Sequence, residues 1–149
     1  MIDVMEKAIC RKIARTFELA AEECYHPVDF TIQWLNSDTC KYLYELNANE
    51  IAQSYYYQLN SLKMEMKRKK ITIKHSTESY SDEMYWAGYF FTYMMYKEEM
   101  PGPEIVKKYE VDTILSCFDT LHTLSCDVAI EKCKEDFDNL EKVKGNIFG

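Results

Sequence analysis

Residues 84–96 read MYWAGYFFTYMMY and carry no charge. As a helix this stretch is apolar on every side, and such a helix is stable only where neighbours cover it from several directions. A membrane span would also cover it, but a bilayer needs about 20 apolar residues. Here Asp82 and Glu83 stand before the run and Lys97, Glu98 and Glu99 after it, so thirteen residues are all there are. The remaining solution is the centre of a helical bundle. With only four Gly and three Pro in 149 residues, the chain has few places to break regular structure. The expected fold is all-α: a single compact bundle of about six to seven helices around a central aromatic helix over 81–100, opening at Ser81 and closing before Pro101.

The flanking sequence supplies the partners. Ile2, Met5, Ile9, Ile13, Phe17, Ala20 and Cys24 recur every three or four residues, the spacing of an amphipathic helix that must stop before Pro27. A short helix over 28–35 follows, then another with Ser37 or Asp38 as its cap. Asn47 or Asn49 starts a long helix whose buried stripe is Ile51, Tyr55, Leu59, Leu62 and Met66. Residues 71–80 alternate apolar and polar and read as a loop or a short edge strand. Helices over 104–109, 111–124 and 127–140 complete one domain over 1–144, with a frayed tail over 145–149.

Turning each residue by about 100° places the hydroxyls of Tyr85, Tyr89, Tyr93 and Tyr96 on an arc of about 80°, with Trp86 beside them. Burying such hydroxyls without partners costs about 1–3 kcal/mol each. The edge is therefore expected either to be satisfied inside the core or to join a partner surface, through Tyr85, Tyr89 and Tyr96. A second candidate surface is AQSYYYQLNSLKMEMK, where Gln53, Tyr56, Asn60, Lys63 and Lys67 lie off the apolar stripe. Asp119 and His122, three apart, can pair on a helix.

The net charge is −7, yet Lys63, Lys67, Arg68, Lys69, Lys70 and Lys74 stand against Glu65 alone in 61–74. That window is +5 and the rest −12, which leaves a nucleic-acid contact through the six bases as an alternative to a helix ending in cations. Residues 104–121 can be taken as a helix-turn-helix, but Asp112 and Asp119 give its second helix the wrong sign for a phosphate-lined groove. The six cysteines form no C-x-x-C pair, so reduced thiols, no metal and no cofactor are expected. The N-terminal MIDVMEKAIC lacks a signal-peptide core, which with the free thiols suggests the cytoplasm. No phosphate loop, H-E-x-x-H or G-x-S-x-G occurs. Arg68 and His75, seven apart, resemble the R-x4-6-H element of helical HEPN ribonucleases and are the one catalytic alternative.

WLNSDTC, IAQSYYYQLNSL, YSDEMYWAGYFFTYM and LHTLSCDVAIEKCKEDF together resemble an uncharacterised family of small proteins of gut Firmicutes. Genes of that family lie beside those of a short helical protein and a predicted ADP-ribosyltransferase-like protein, an arrangement similar to a toxin-antitoxin cassette. The resemblance implies a protein partner and carries over no catalytic residues. The expected function is thus a non-enzymatic protein-interaction module that binds a co-encoded partner and neutralises a toxin. The alternatives are the HEPN-like ribonuclease and a DNA-binding regulator using the basic run.

Overall fold

The computed structural model describes residues 2–145 and 148. Among them there are eleven helices and no strands. Asp3 opens α1 (Val4–Glu22) with a reciprocal capping box to Glu6, and Pro27 sits in the first turn of α2 (Pro27–Leu35). Ser37 Oγ accepts the Cys40 N–H to start α3 (Asp38–Tyr44), and Asn47 does the same through Glu50 for α4 (Ala48–Ile51). These caps satisfy amide groups that a helix start leaves unpaired.

The long helix expected from residue 47 onward is divided. Residues 52–54 leave helical geometry, and Ser54 Oγ accepts the Tyr57 N–H to begin α5 (Tyr55–Lys69) afresh. The last expected helices divide as well, giving α7 (Gly102–Lys108), α8 (Val111–Ser116), α9 (Phe118–Leu121), α10 (Cys126–Glu135) and α11 (Phe137–Val143). Together with the division at 52–54, breaks at Cys117 and Asp136 each add a helix, which takes the count above six or seven. Four helix ends turn on non-glycine residues in the left-handed region: Cys24 after α1, Leu46 after α3, Lys70 after α5 and Glu99 after the aromatic helix. The stops expected from Pro27 and Pro101 are thus made three and two residues earlier, at Cys24 and Glu99.

The aromatic helix, α6 (Ser81–Lys97), runs through the middle as expected. It ends three residues short of Met100, and Ser81 is its first helical residue rather than its cap, a position held by Tyr80. Its closest neighbour is α1, and it also touches α2 and α10. Gly88 sets that approach: a β-carbon there would lie 2.8 Å from the Ile13 carbonyl oxygen and 2.9 Å from the Ala14 Cα. Gly88 meets Ile13 and Ala14 midway, Tyr96 lies toward Glu6 and Asp3, and Arg15 lies toward Tyr85, so the two helices are antiparallel. Phe17 meets Phe30 and Trp34 edge-on at 4.9 and 6.0 Å, joining α1 to α2 beneath. At the far end α7 lies so close to α2 that a β-carbon on Gly102 would overlap the Leu35 carbonyl.

Residues 70–80 form no strand. They are laced to the α1–α2 turn by one isolated bridge between Tyr25 and His75, with the His26 N–H donating to the Lys74 carbonyl and the Ser76 N–H to the Cys24 carbonyl, both at 2.8 Å. The tail expected to fray is held at two described points. Gly145 N–H donates to the Ser116 carbonyl at 3.1 Å, and buried Phe148 meets Tyr80 edge-on at 5.1 Å. Asn146, Ile147 and Gly149 of that tail lie outside the described residues.

Candidate functional site

The N-terminal half of the central helix is open along one face. Asp82, Tyr85, Trp86 and Tyr89 of α6 form the floor of a groove of about 690 Å³. Arg11 and Glu18 of α1 make one wall, and Phe118 and His122, at the α9 end of the molecule, make the other. Trp86 stacks on Phe90 at 4.6 Å and meets Phe118 edge-on at 5.8 Å, which joins the far wall to the floor. His122 stacks flat on Phe118 at 4.2 Å, and its Nδ1 lies 2.6 Å from the Phe118 carbonyl. A carbonyl only accepts, so Nδ1 carries a proton. The expected Asp119–His122 pair is replaced by this turn within one helical segment. Burial pushes the Tyr89 phenol above its ordinary range, with Arg11 opposing.

The tyrosine edge read from the sequence is divided by what covers it. Tyr85 and Tyr89 are half-buried and line the groove. Tyr96 is not part of that surface: it is buried, stacks on Tyr44 at 6.0 Å and donates to the Leu43 carbonyl at 2.7 Å. Tyr93 is buried too and donates to Asp127 Oδ1 at 3.0 Å, and burial together with that carboxylate pushes its phenol up to about 12.

The amide-and-tyrosine surface lies beyond the exposed stripe of α1. Arg15 marks the boundary, its guanidinium 5.2 Å over the Tyr55 ring and its NH1 3.0 Å from Glu18. Tyr56 stacks on Tyr55 and is exposed, as are Asn60 and Lys67, while Gln53 lies in the turn before α5 rather than on it. Lys63 is engaged with Glu23. Of the other bases, Lys69 pairs with Glu65 at 2.9 Å and Asp38 at 3.3 Å, and Lys67, Arg68, Lys70 and Lys74 are exposed. Arg68 and His75 are directed to different neighbours. Arg68 lines a smaller cleft of about 340 Å³ against α3, and His75 lies against the Tyr25 ring at 4.7 Å.

That smaller cleft was read from the sequence only in part: Asn60 and Arg68 line it, and its α3 wall was missed. Tyr42 of α3 and Tyr57 and Met64 of α5 stand in it with substantial exposure, at 45%, 40% and 69%. Beneath them, buried Glu65 closes the start of α3: its carboxylate accepts the N–H of Asp38 at 3.0 Å and of Thr39 at 3.3 Å. Among the described residues no group of three or more His, Cys, Asp or Glu is placed to hold a metal ion, and no helix is long and apolar enough to cross a membrane. Compared with family models, curated proteins and solved structures, the chain matches none.

Proposed function

We propose that this chain is a non-enzymatic protein-interaction module that grips a partner, a co-encoded toxin, through the aromatic groove on α6. One observation carries the reading. The central helix is buried along most of its length, yet Tyr85, Trp86 and Tyr89 are left half-exposed side by side on a floor between the α1 wall and Phe118. Tyrosine and tryptophan are the residues that dominate binding energy in protein interfaces, because each covers a large area while losing little side-chain freedom. Less supports the ribonuclease alternative, since Arg68 and His75 turn to separate neighbours, or the DNA-binding one, since Lys63 and Lys69 are already paired with acids.

The test is a photo-crosslinking residue at Phe118, in the native cell or with the neighbouring genes co-expressed. A protein crosslinked in stoichiometric yield, and lost on Trp86→Ala, supports the reading. A crosslinker at Phe118 that captures nothing, while one at Met64 captures a protein or nucleic acid, overturns it.

A further inference from the structure

The groove has the dimensions of a missing helix. On α1 its wall residues Arg11 and Glu18 are seven apart; on α6 its floor runs from Asp82 to Tyr89, also seven apart. Seven residues rise about 10 Å, two helical turns, so two antiparallel helices present ridges of equal length side by side. The floor positions 82, 85, 86 and 89 follow the i, i+3, i+4, i+7 spacing along which one helix packs on another. An extended peptide would need backbone partners, and α6 spends its own amides within the helix while no strand edge exists among the described residues.

The ends of the slot differ in sign. Among the described residues, exposed Asp82 at one end and exposed Arg11 at the other have no ion pair; Glu18 is already held by Arg15. We propose that the occupant is an amphipathic helix of the partner that lays an apolar stripe on Tyr85, Trp86 and Tyr89. It sets a lysine or arginine over Asp82 and, about two turns along, an aspartate or glutamate over Arg11. This rests on the interaction reading above and fixes the partner's chemistry and polarity. Opposite charges at the two ends admit one direction of the helix and oppose the reverse, since like charges brought together across an interface cost affinity.

The experiment uses the full chain as bait for displayed libraries of random peptides about 16 residues long, enough for four turns. Binders are counter-selected on Trp86→Ala, with Tyr89→Arg as a second groove variant should the first fail to fold. Enrichment of sequences with apolar period 3.6, carrying a base and an acid about seven positions apart, is the expected result. These binders should lose at least about tenfold in affinity on the charge-swapped Arg11→Glu/Asp82→Lys variant and recover when their own two charges are exchanged. Proline-rich or extended binders, binders indifferent to the charge swap, or no binders at the groove overturn the helix. Capture of a partner at Phe118 would leave the interaction reading standing in each of those cases, so the two fail separately.

Discussion

The Tyr96 hydroxyl donates a 2.7 Å hydrogen bond to the carbonyl of Leu43 inside the core. It satisfies a carbonyl near the end of α3 and ties that helix to the C-terminal half of α6. Tyr96→Phe removes one of the bonds on that carbonyl, which keeps the Leu46 N–H at 3.0 Å, and is expected to destabilise the fold by about 0.5–1.5 kcal/mol in urea unfolding. Tyr85→Phe and Tyr89→Phe, at the half-exposed end of the same helix, should shift the midpoint little.

The two tryptophans report on the site separately. Trp34 is buried at 1% exposure and Trp86 lines the groove. Trp86→Phe should leave blue-shifted emission that acrylamide barely quenches, and Trp34→Phe should leave emission that it quenches readily. Equal quenching of both variants would show Trp86 to be covered.

Gly88 sits where α1 and α6 meet backbone to backbone. Gly88→Ala would gain helix propensity on an open helix but here forces the two helices apart, and a loss of about 1–3 kcal/mol is expected. Thermal unfolding that rises instead would place the helices farther apart than described.

Lys70 ends α5 at φ 56°, a conformation that costs a side chain about 1–2 kcal/mol and costs glycine little. Lys70 is exposed, so Lys70→Gly changes little else. It should stabilise the protein by about 0.5–1 kcal/mol after the added freedom of the unfolded chain is set against the relief.

Lys97, 2.9 Å away, holds the Asp127 carboxyl below its ordinary value of 3.8, with the Tyr93 hydroxyl assisting. A lowered folded value means that ionised Asp127 favours the folded state above the ordinary carboxylate range, and the favour is lost as pH falls through the lowered value. The stability gap between wild type and Asp127→Asn should therefore be full at about pH 7 and narrow as pH falls below the ordinary carboxylate range. A gap that persists in acid would assign Asp127 a role without its charge.

Spacing carried much of the architecture. The apolar positions of α1 from Ile9 to Ala20 are buried as their period requires, and Ser37 and Asn47 cap the helices they precede. The division at Ser54 was hidden because Ile51 and Tyr55 keep the helical period across it. The angular arc of tyrosines placed the hydroxyls on one edge, but an arc carries no information on what covers each turn: α3 closes over Tyr96, and Tyr85 stays half-exposed in the groove. Arg11 and Glu18 join the groove from α1 and Phe118 from α9, so only the packing of both elements on α6 could bring them there. Glu65 read as a lone acid in a basic run, and its use as a cap for α3 depends on a contact 27 residues away in sequence.

Backbone contact at Gly88 has a kinetic corollary. A helix pressed against its neighbour without an intervening side chain cannot roll about its own axis, so the aromatic floor points outward in the same direction whether or not anything is bound. A partner would meet a surface already arranged, and its association rate should be governed by encounter and orientation, without the slow phase that a rearranging receptor imposes.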